Sequence, residues 1–400
     1  MKYNHPFFYF EPNIHVNIGQ PNIVLIYNYT TAKERVINNT PFYLRVKQLL
    51  SEYEFGFYID QDELYGICLT LKDDLLGDII DIKDGKLPFL IPPNFFKVEK
   101  SRSYLSENGI RNFKDNILDY IFNLDFYMGL ALSKSNRNTF PHLYPDNIIK
   151  EICFDEWNSC INDYKIRTNL QSINIYIASS INESPIFIKR LEESFESTYI
   201  NIHIPYNLSN DYVGSYNKLL YFPSSKIEDT RVLRNFVNEV SESDRIIFIV
   251  ESEKHFSIVE KIASKNSLDN YSVYPHFNGK NNTFFQSNVY MRHADLLEDK
   301  PSMIDLFRNS ELNSNDFGRI VIDSFGNYQT NVLGEPLGNL KNENLQKIVF
   351  NCLSSTNSTW FQTRNRIIPC SECIYNQICP PISSYERSMN KMDLCWKNLS

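Results

Sequence analysis

The chain has no run of 18 apolar residues, so no membrane-spanning helix is expected. Its first nineteen residues, MKYNHPFFYFEPNIHVNIG, hold no apolar stretch behind a basic start, so no signal peptide is expected and the cytoplasm is the expected location. There is no surplus of positive charge. Lys and Arg number 40 against 48 Asp and Glu, a net charge of −8, which argues against a general binder of nucleic acid or anionic membrane. No P-loop, no G-x-G-x-x-G and no nucleophile elbow occurs, which removes the common phosphate-cradling and acyl-transfer signatures.

What is present is a globular composition of 42% hydrophobic and 22% charged residues over 400 positions, long enough for two or three domains. The 25 Tyr and 28 Phe are expected to fill large cores. Half of the eight cysteines fall in one C-terminal run. Cys370, Cys373, Cys379 and Cys395 form a C-x2-C-x5-C-x15-C array. In a reducing compartment, clustered cysteines point to metal before disulfide. Four thiolates suit an iron–sulfur cluster or a structural zinc, although zinc sites usually carry two C-x2-C knuckles and only one is here. Unligated thiols are the third reading.

Three segments are expected. In residues 1–95, NIHVNI, NIVLIYNY and ERVIN read as short strands separated by turn residues. Thr40-Pro41 reads as a cap and first turn opening the helix FYLRVKQLLSE. DELYGICLTLKDDLLGDII reads as a second helix, with Cys68 on its apolar face. Asp73-Asp74 is a candidate carboxylate pair, weighed against a solvated helix face. Residues 96–310 alternate strand-like runs (ILDYIFNLDF, SINIYIAS, YINIHIPY, KLLYFPS, DRIIFIVES, NYSVYPHF) with helical patterns, the signature of a parallel sheet. Cys153 and Cys160 share one helix face there and are expected to pack. His142 and His276 fall near strand ends, where barrel enzymes place chemistry, but each reads first as a loop histidine. In residues 311–400, FGRIVIDSFGNYQTN reads as a hairpin turning over Asp323 to Asn327, followed by PLGNLKNENLQKIVFN, with Cys352 expected in the core, and by the cysteine array.

The hairpin, the stretch with Gly338, Asn339, Leu340, Glu343, Leu345 and Ile348, and the C-x2-C-x5-C with its distant cysteine together resemble the SPASM domain, the auxiliary-cluster extension of radical S-adenosylmethionine peptide maturases. The resemblance implies an α/β fold: a small β-hairpin/helix N-terminal module of the peptide-recognition type, a degenerate partial (β/α) TIM-type barrel, and a C-terminal SPASM-like cysteine domain. The departures matter as much. No C-x3-C-x2-C occurs, and the loop that carries it in those enzymes, around residues 128–144, has no cysteine. Ser179 and Ser180 stand where glycines hold the cofactor. One auxiliary cluster has lost its ligands too, with Gln329 or Asn331, Glu343 and Ser383 at those places. The other is complete.

The combination resembles the pseudo-radical-SAM/SPASM proteins of Bacteroidetes Gly-Gly-leader peptide-maturation systems, a match supported by FEPNIHV, LIYNYTT, LLGDII and CPPISSYE. It implies one [4Fe–4S] cluster, with zinc as the alternative, and no S-adenosylmethionine. The implied partners are the leader of a precursor peptide and a true radical maturase, with no nucleic acid and no membrane. A non-catalytic role is implied first. A redox partner or enzyme using the cluster, and a zinc-stabilised scaffold, are the other two. The third strand, Glu34, Arg35, Val36 and Ile37, is the candidate edge for a leader added as a further strand, with the Phe42–Leu50 helix as the wall of a groove beside it.

Overall fold

The computed structural model describes residues 6–19, 21–52, 54–82, 90–91, 93, 117–128, 169–177, 184–195, 198–212, 216–355 and 358–398. Cys153, Cys160, His142, Ser179, Ser180, the loop 129–144 and the helical pattern around Cys153 lie outside the described residues.

Among the described residues, the first module contains six strands in two antiparallel three-stranded sheets. The elements run β1 (Pro6–Phe10), β2 (Ile14–Gly19), β3 (Ile23–Asn28), β4 (Glu34–Asn38), α1 (Thr40–Glu52), β5 (Gly56–Tyr58), α2 (Asp62–Asp73) and β6 (Gly77–Asp81). The sheet orders are β2-β3-β4 and β5-β1-β6. Phe8, Phe10, Val16, Ile26, Phe42, Val46 and Leu71 close the core between sheets and helices. Asn39, rather than Thr40, caps α1, its side chain accepting the Phe42 N–H at 2.9 Å.

The expected second helix is cut short. Leu75 takes φ 57°, a left-handed turn that ends α2. Gly77 then begins β6, which pairs with β1 from Pro6↔Asp81 to Phe10↔Gly77. A Cβ on Gly77 would stand 2.4 Å from the Phe8 ring, so the strand lies this close only because the residue is glycine. The helical spacing of apolar residues ran on by coincidence through Leu75, while Ile79 and Ile80 favour a strand. Of Asp73-Asp74, Asp73 is on the solvated face and Asp74 is not. Asp74 pairs with Lys33 at 2.7 Å and with Arg35, tying the end of α2 to β4. Hydrogen bonds from Arg35 and Lys33 hold its carboxyl down at about 2.

The central sheet has nine strands in the linear order β12-β11-β10-β9-β8-β7-β13-β14-β15. These are β7 (Asn123–Met128), β8 (Ser172–Ile177), β9 (Tyr199–Pro205), β10 (Asn217–Phe222), β11 (Arg245–Val250), β12 (Tyr271–Pro275), β13 (Arg319–Ile322), β14 (Asn327–Gln329) and β15 (Gly338–Asn339). Strands β7 to β12 pair in parallel, as the alternation of strand and helix requires. The start of the first run, Ile117–Tyr120, is a 3-10 turn rather than strand. The hairpin strand β13 joins β7 in parallel, so the last segment extends the same sheet.

Helices Ser184–Ser194, Thr230–Glu239 and Glu253–Lys265 cover one face, packing Phe187, Leu191, Leu233, Phe236 and Val259 onto Phe126, Ile175, Ile202 and Phe248. The opposite face is polar and aromatic. A row of amides links the strands: Asn217 donates to Asn201, Asn201 to Asn174, and Asn174 to Asp125 at 3.2, 3.0 and 2.7 Å. Two residues further along β7, β8 and β9, Tyr127, Tyr176 and His203 stack with ring centroids 4.4 and 4.1 Å apart, and His203 Nδ1 meets Tyr221 Oη at 2.8 Å. Among the described residues no helix is long and apolar enough to cross a membrane.

Candidate metal centre

The four cysteines are carried by turns, so loops and not regular elements must fix them. The chain folds through 3-10 turns at Arg364–Arg366, Cys370–Glu372 and Trp396–Asn398, and a short helix at Ser384–Ser388. Local backbone bonds shape the first three positions: Cys373 N–H donates to Cys370 O at 3.0 Å, and Cys379 N–H to Tyr375 O at 2.8 Å. Asn309 donates its amide to the carbonyls of Gln377 and Cys379 at 3.1 and 3.0 Å. Cys395 comes from further along the chain. A bridge to Met291 places it, with Met291 N–H on Leu394 O and Trp396 N–H on Met291 O.

All four cysteines are half-buried and free, and all four line one cavity of about 500 Å³. Two cations lie against the sulfurs. Arg364 Nη1 stands 3.6 Å from Cys370 Sγ, and Lys397 Nζ stands 3.1 Å from Cys373 Sγ. Burial pushes the Cys379 thiol up to about 12, with Arg364 acting against it, and raises Cys370 and Cys395 as well. As thiols they resist ionisation, and a bound metal would displace their protons. Among the described residues no three His, Cys, Asp or Glu side chains are gathered as one ion's ligand set.

Arg364 is the keystone of this segment. It is 9% exposed and forms a two-pronged pair with Glu386, itself 2% exposed, at 2.8 and 3.0 Å. It also donates to Pro380 O at 2.6 Å and Met392 O at 3.1 Å, so one guanidinium joins the strands of chain on either side of the cavity. Burial works against its charge, yet Glu386 outweighs that and holds the guanidinium ionised. Neither Arg364 nor Lys397 is singled out by the cysteine spacing. The available signal was only a cation two residues beyond the last cysteine and an arginine six before the first.

The cysteine segment docks under the N-terminal module. Strand β3 reads as a continuous apolar run because both faces are buried. Val24 and Ile26 enter the module core, while Leu25 and Tyr27 pack on Ile374, Tyr375 and Ile378. Asn17 donates to Ile374 O at 2.8 Å and to Asn376 Oδ1 at 2.9 Å. Gly19 admits the contact, since a Cβ there would meet Ile374 at 2.4 Å.

Strand β4 is an outer strand, pairing only with β3 among the described residues. The Asn28 N–H bonds to Lys33 O at 2.9 Å, and antiparallel alternation then turns Arg35 and Ile37 inward along the backbone and Glu34 and Val36 outward. Side chains divide differently. Glu34 reaches His293 Nε2 at 2.8 Å and Tyr375 Oη at 3.5 Å, Arg35 holds Asp74, Ile37 packs on the module core, and Val36 is 46% exposed. Helix α1 makes its main contacts elsewhere in the module. It lies on β2, β3 and β5, and the groove beside it opens along β5, with Arg45, Gln48, Phe55 and Tyr58 in its lining.

Other candidates are structural. Cys68 and Cys352 are fully buried in the two main cores. His276, at the end of β12, is held by Glu251, its Nδ1 3.0 Å from Oε1, and Glu251 also accepts from Ser224 and Asn278.

Fold and site together define a mixed α/β protein with a nine-stranded, mostly parallel sheet and a four-cysteine cavity beneath a small β module. No protein-family model and no curated protein matches the chain. A solved structure, titled as BtrN in complex with AdoMet and 2-DOIA, is similar at 9% identity, over 62% of this chain and 91% of that one, with a TM-score of 0.31. At that similarity it decides nothing about this chain.

Proposed function

We propose that this protein is a non-catalytic partner in the maturation of a ribosomally made peptide. On this reading Cys370, Cys373, Cys379 and Cys395 hold one [4Fe–4S] cluster, S-adenosylmethionine is not cleaved, and the outer strand β4 receives the precursor's leader for a separate radical maturase. The observation that carries the metal half is that four thiols line one cavity with cations against two of their sulfurs. Zinc would draw all four sulfurs to about 2.3 Å from one point. A cavity of about 500 Å³ leaves room for a polynuclear centre. A cluster bound there would supply one-electron transfer at a potential set by charge and hydrogen bonds at its sulfurs. Arg364 and Lys397 supply that charge, and Arg364 also fixes the loops that present the cysteines.

Anaerobically purified protein should carry about four irons and four sulfides per chain. Cys370→Ala or Cys373→Ala should lose both, and Cys352→Ala, in the core, should keep them. One tight zinc per chain with no sulfide would sink the cluster.

The leader half rests on the outward backbone of Val36. Val36→Pro removes an N–H that does not serve the β3 ladder, so the module should fold while leader binding weakens about five- to tenfold, the worth of one backbone hydrogen bond. Titration of the precursor's leader into the full chain, with iron content as the folding control, measures this. Unchanged affinity in the variant would remove β4 as the binding edge.

A further inference from the structure

We propose that a second cavity, between the polar face of the sheet and the C-terminal segment, binds a small monocarboxylate with an apolar body. The cavity measures about 390 Å³ and is walled by β7, β13, the connection after β14 and residues 382–387. That is the size range of pockets for small organic ligands.

Its defining group is Arg319, the first residue of β13. The backbone there is fixed: Trp360 Nε1 donates to Arg319 O at 3.1 Å, and the preceding Gly318 sits at φ 74° against Phe122, where a Cβ would clash at 2.2 Å. The side chain reaches the cavity and is 36% exposed, enough for a ligand to touch. Its guanidinium makes no hydrogen bond among the described residues. Asp125 Oδ2 stands 3.5 Å from the buried Nε, an ion pair without hydrogen-bond geometry. The guanidinium's two terminal nitrogens are left without a hydrogen bond among the described residues, and a carboxylate satisfies such a pair with two parallel bonds.

The neighbours limit the ligand. Arg387, the other cation of the lining, is already paired with Asp316 and Gln362. The two arginines and two aspartates of the lining cancel, so a single negative charge placed at the open side of Arg319 meets less repulsion than two would. A dianion such as phosphate would meet Asp125 and Asp316. Val321, Val332, Leu333 and Ile382 form the apolar part of the lining, beside the polar Asn123, Asn331, Ser383 and Ser384, which leaves room for a small apolar body on one side of the carboxylate. This inference does not depend on the cysteines.

The test uses the full chain and three probes: N-acetyl-leucine, its amide, and inorganic phosphate. N-acetyl-leucine should bind saturably and raise the thermal midpoint, since a ligand of the native state stabilises it. The amide should bind about tenfold more weakly or worse, the loss expected for a charge-assisted pair. Phosphate should not bind. The double variant Arg319→Gln/Asp125→Asn, which avoids leaving a lone buried carboxylate, should lose the preference for acid over amide. Leu333→Trp, at the exposed rim, should block the acid without disturbing the core if the double variant fails to fold. Equal binding of acid and amide, no saturable binding of the acid, or full binding in the folded variants would each overturn the assignment.

Discussion

Replacing Arg364 with methionine is expected to destabilise the protein by about 3–5 kcal/mol and to abolish metal loading. The loss is large because Glu386, 2% exposed, would keep its charge in the interior without a counter-ion. The carbonyls of Pro380 and Met392 would lose their donor in the same step, releasing the chain on both sides of the cysteine cavity. Lysine should not restore the site, since a single ammonium cannot serve both carboxylate oxygens and two carbonyls at once. Arg364→Met/Glu386→Leu should recover much of the stability, because the cost lies in the stranded charge more than in the lost pair. Metal loading should stay impaired in that double variant, with no cation left beside Cys370. Urea denaturation of the three variants measures the first effect, and iron content the second. A double variant no more stable than Arg364→Met would show that the pair is not what holds the segment.

Among the described residues, most strands and the later helices of the middle segment were legible in the sequence because their signals are local. Runs such as KLLYF and RIIFIV read as strands, and Asp229 and Ser252 cap helices that come after them. What misled was a pattern with two solutions. The apolar spacing from Leu64 to Leu75 fits a helix through Gly77, and only the pairing of β6 with β1, nearly seventy residues away in sequence, resolves it. β1 itself, PFFYF, has no polar alternation because Phe7, Phe8 and Phe10 are all buried. The cysteine cavity was visible as a spacing, but its cations were not. Arg364 matters through Glu386, and that contact is made by folding. Equally hidden was the docking of β3 on Ile374 and Tyr375. A run of Val-Leu-Ile-Tyr announces a strand buried on both faces without saying what covers the second.

Mild acid should weaken the fold through two buried histidines. His15 and His203 are both buried, and burial lowers each imidazole to about 3. In the unfolded chain each would titrate near 6.5. Between those values the unfolded chain binds more protons than the native one, so stability falls as pH falls through this window. From pH 7 to pH 5 the two rings together should cost on the order of 4 kcal/mol, about 2 each. Asp316 works the other way: burial pushes its carboxyl up to about 6, so its protonation in the folded protein returns roughly 1 kcal/mol over the same range. Glu251 and Asp74, held down near 2, add nothing until the pH is lower still. The two histidines sit at different places. His203 is stacked on Tyr176 beneath the sheet, and His15 lies on the side of β2 that sends Asn17 to the cysteine segment. His15→Leu should therefore remove about 2 kcal/mol of the loss between pH 7 and 5 and keep the N-terminal module seated against Ile374 in mild acid. His203→Phe should remove as much without that second effect. Denaturation midpoints at the two pH values give the slope, and protease susceptibility of the module at pH 5 separates the sites. A wild-type protein losing under about 1 kcal/mol over this range would mean that neither ring is kept neutral by the fold.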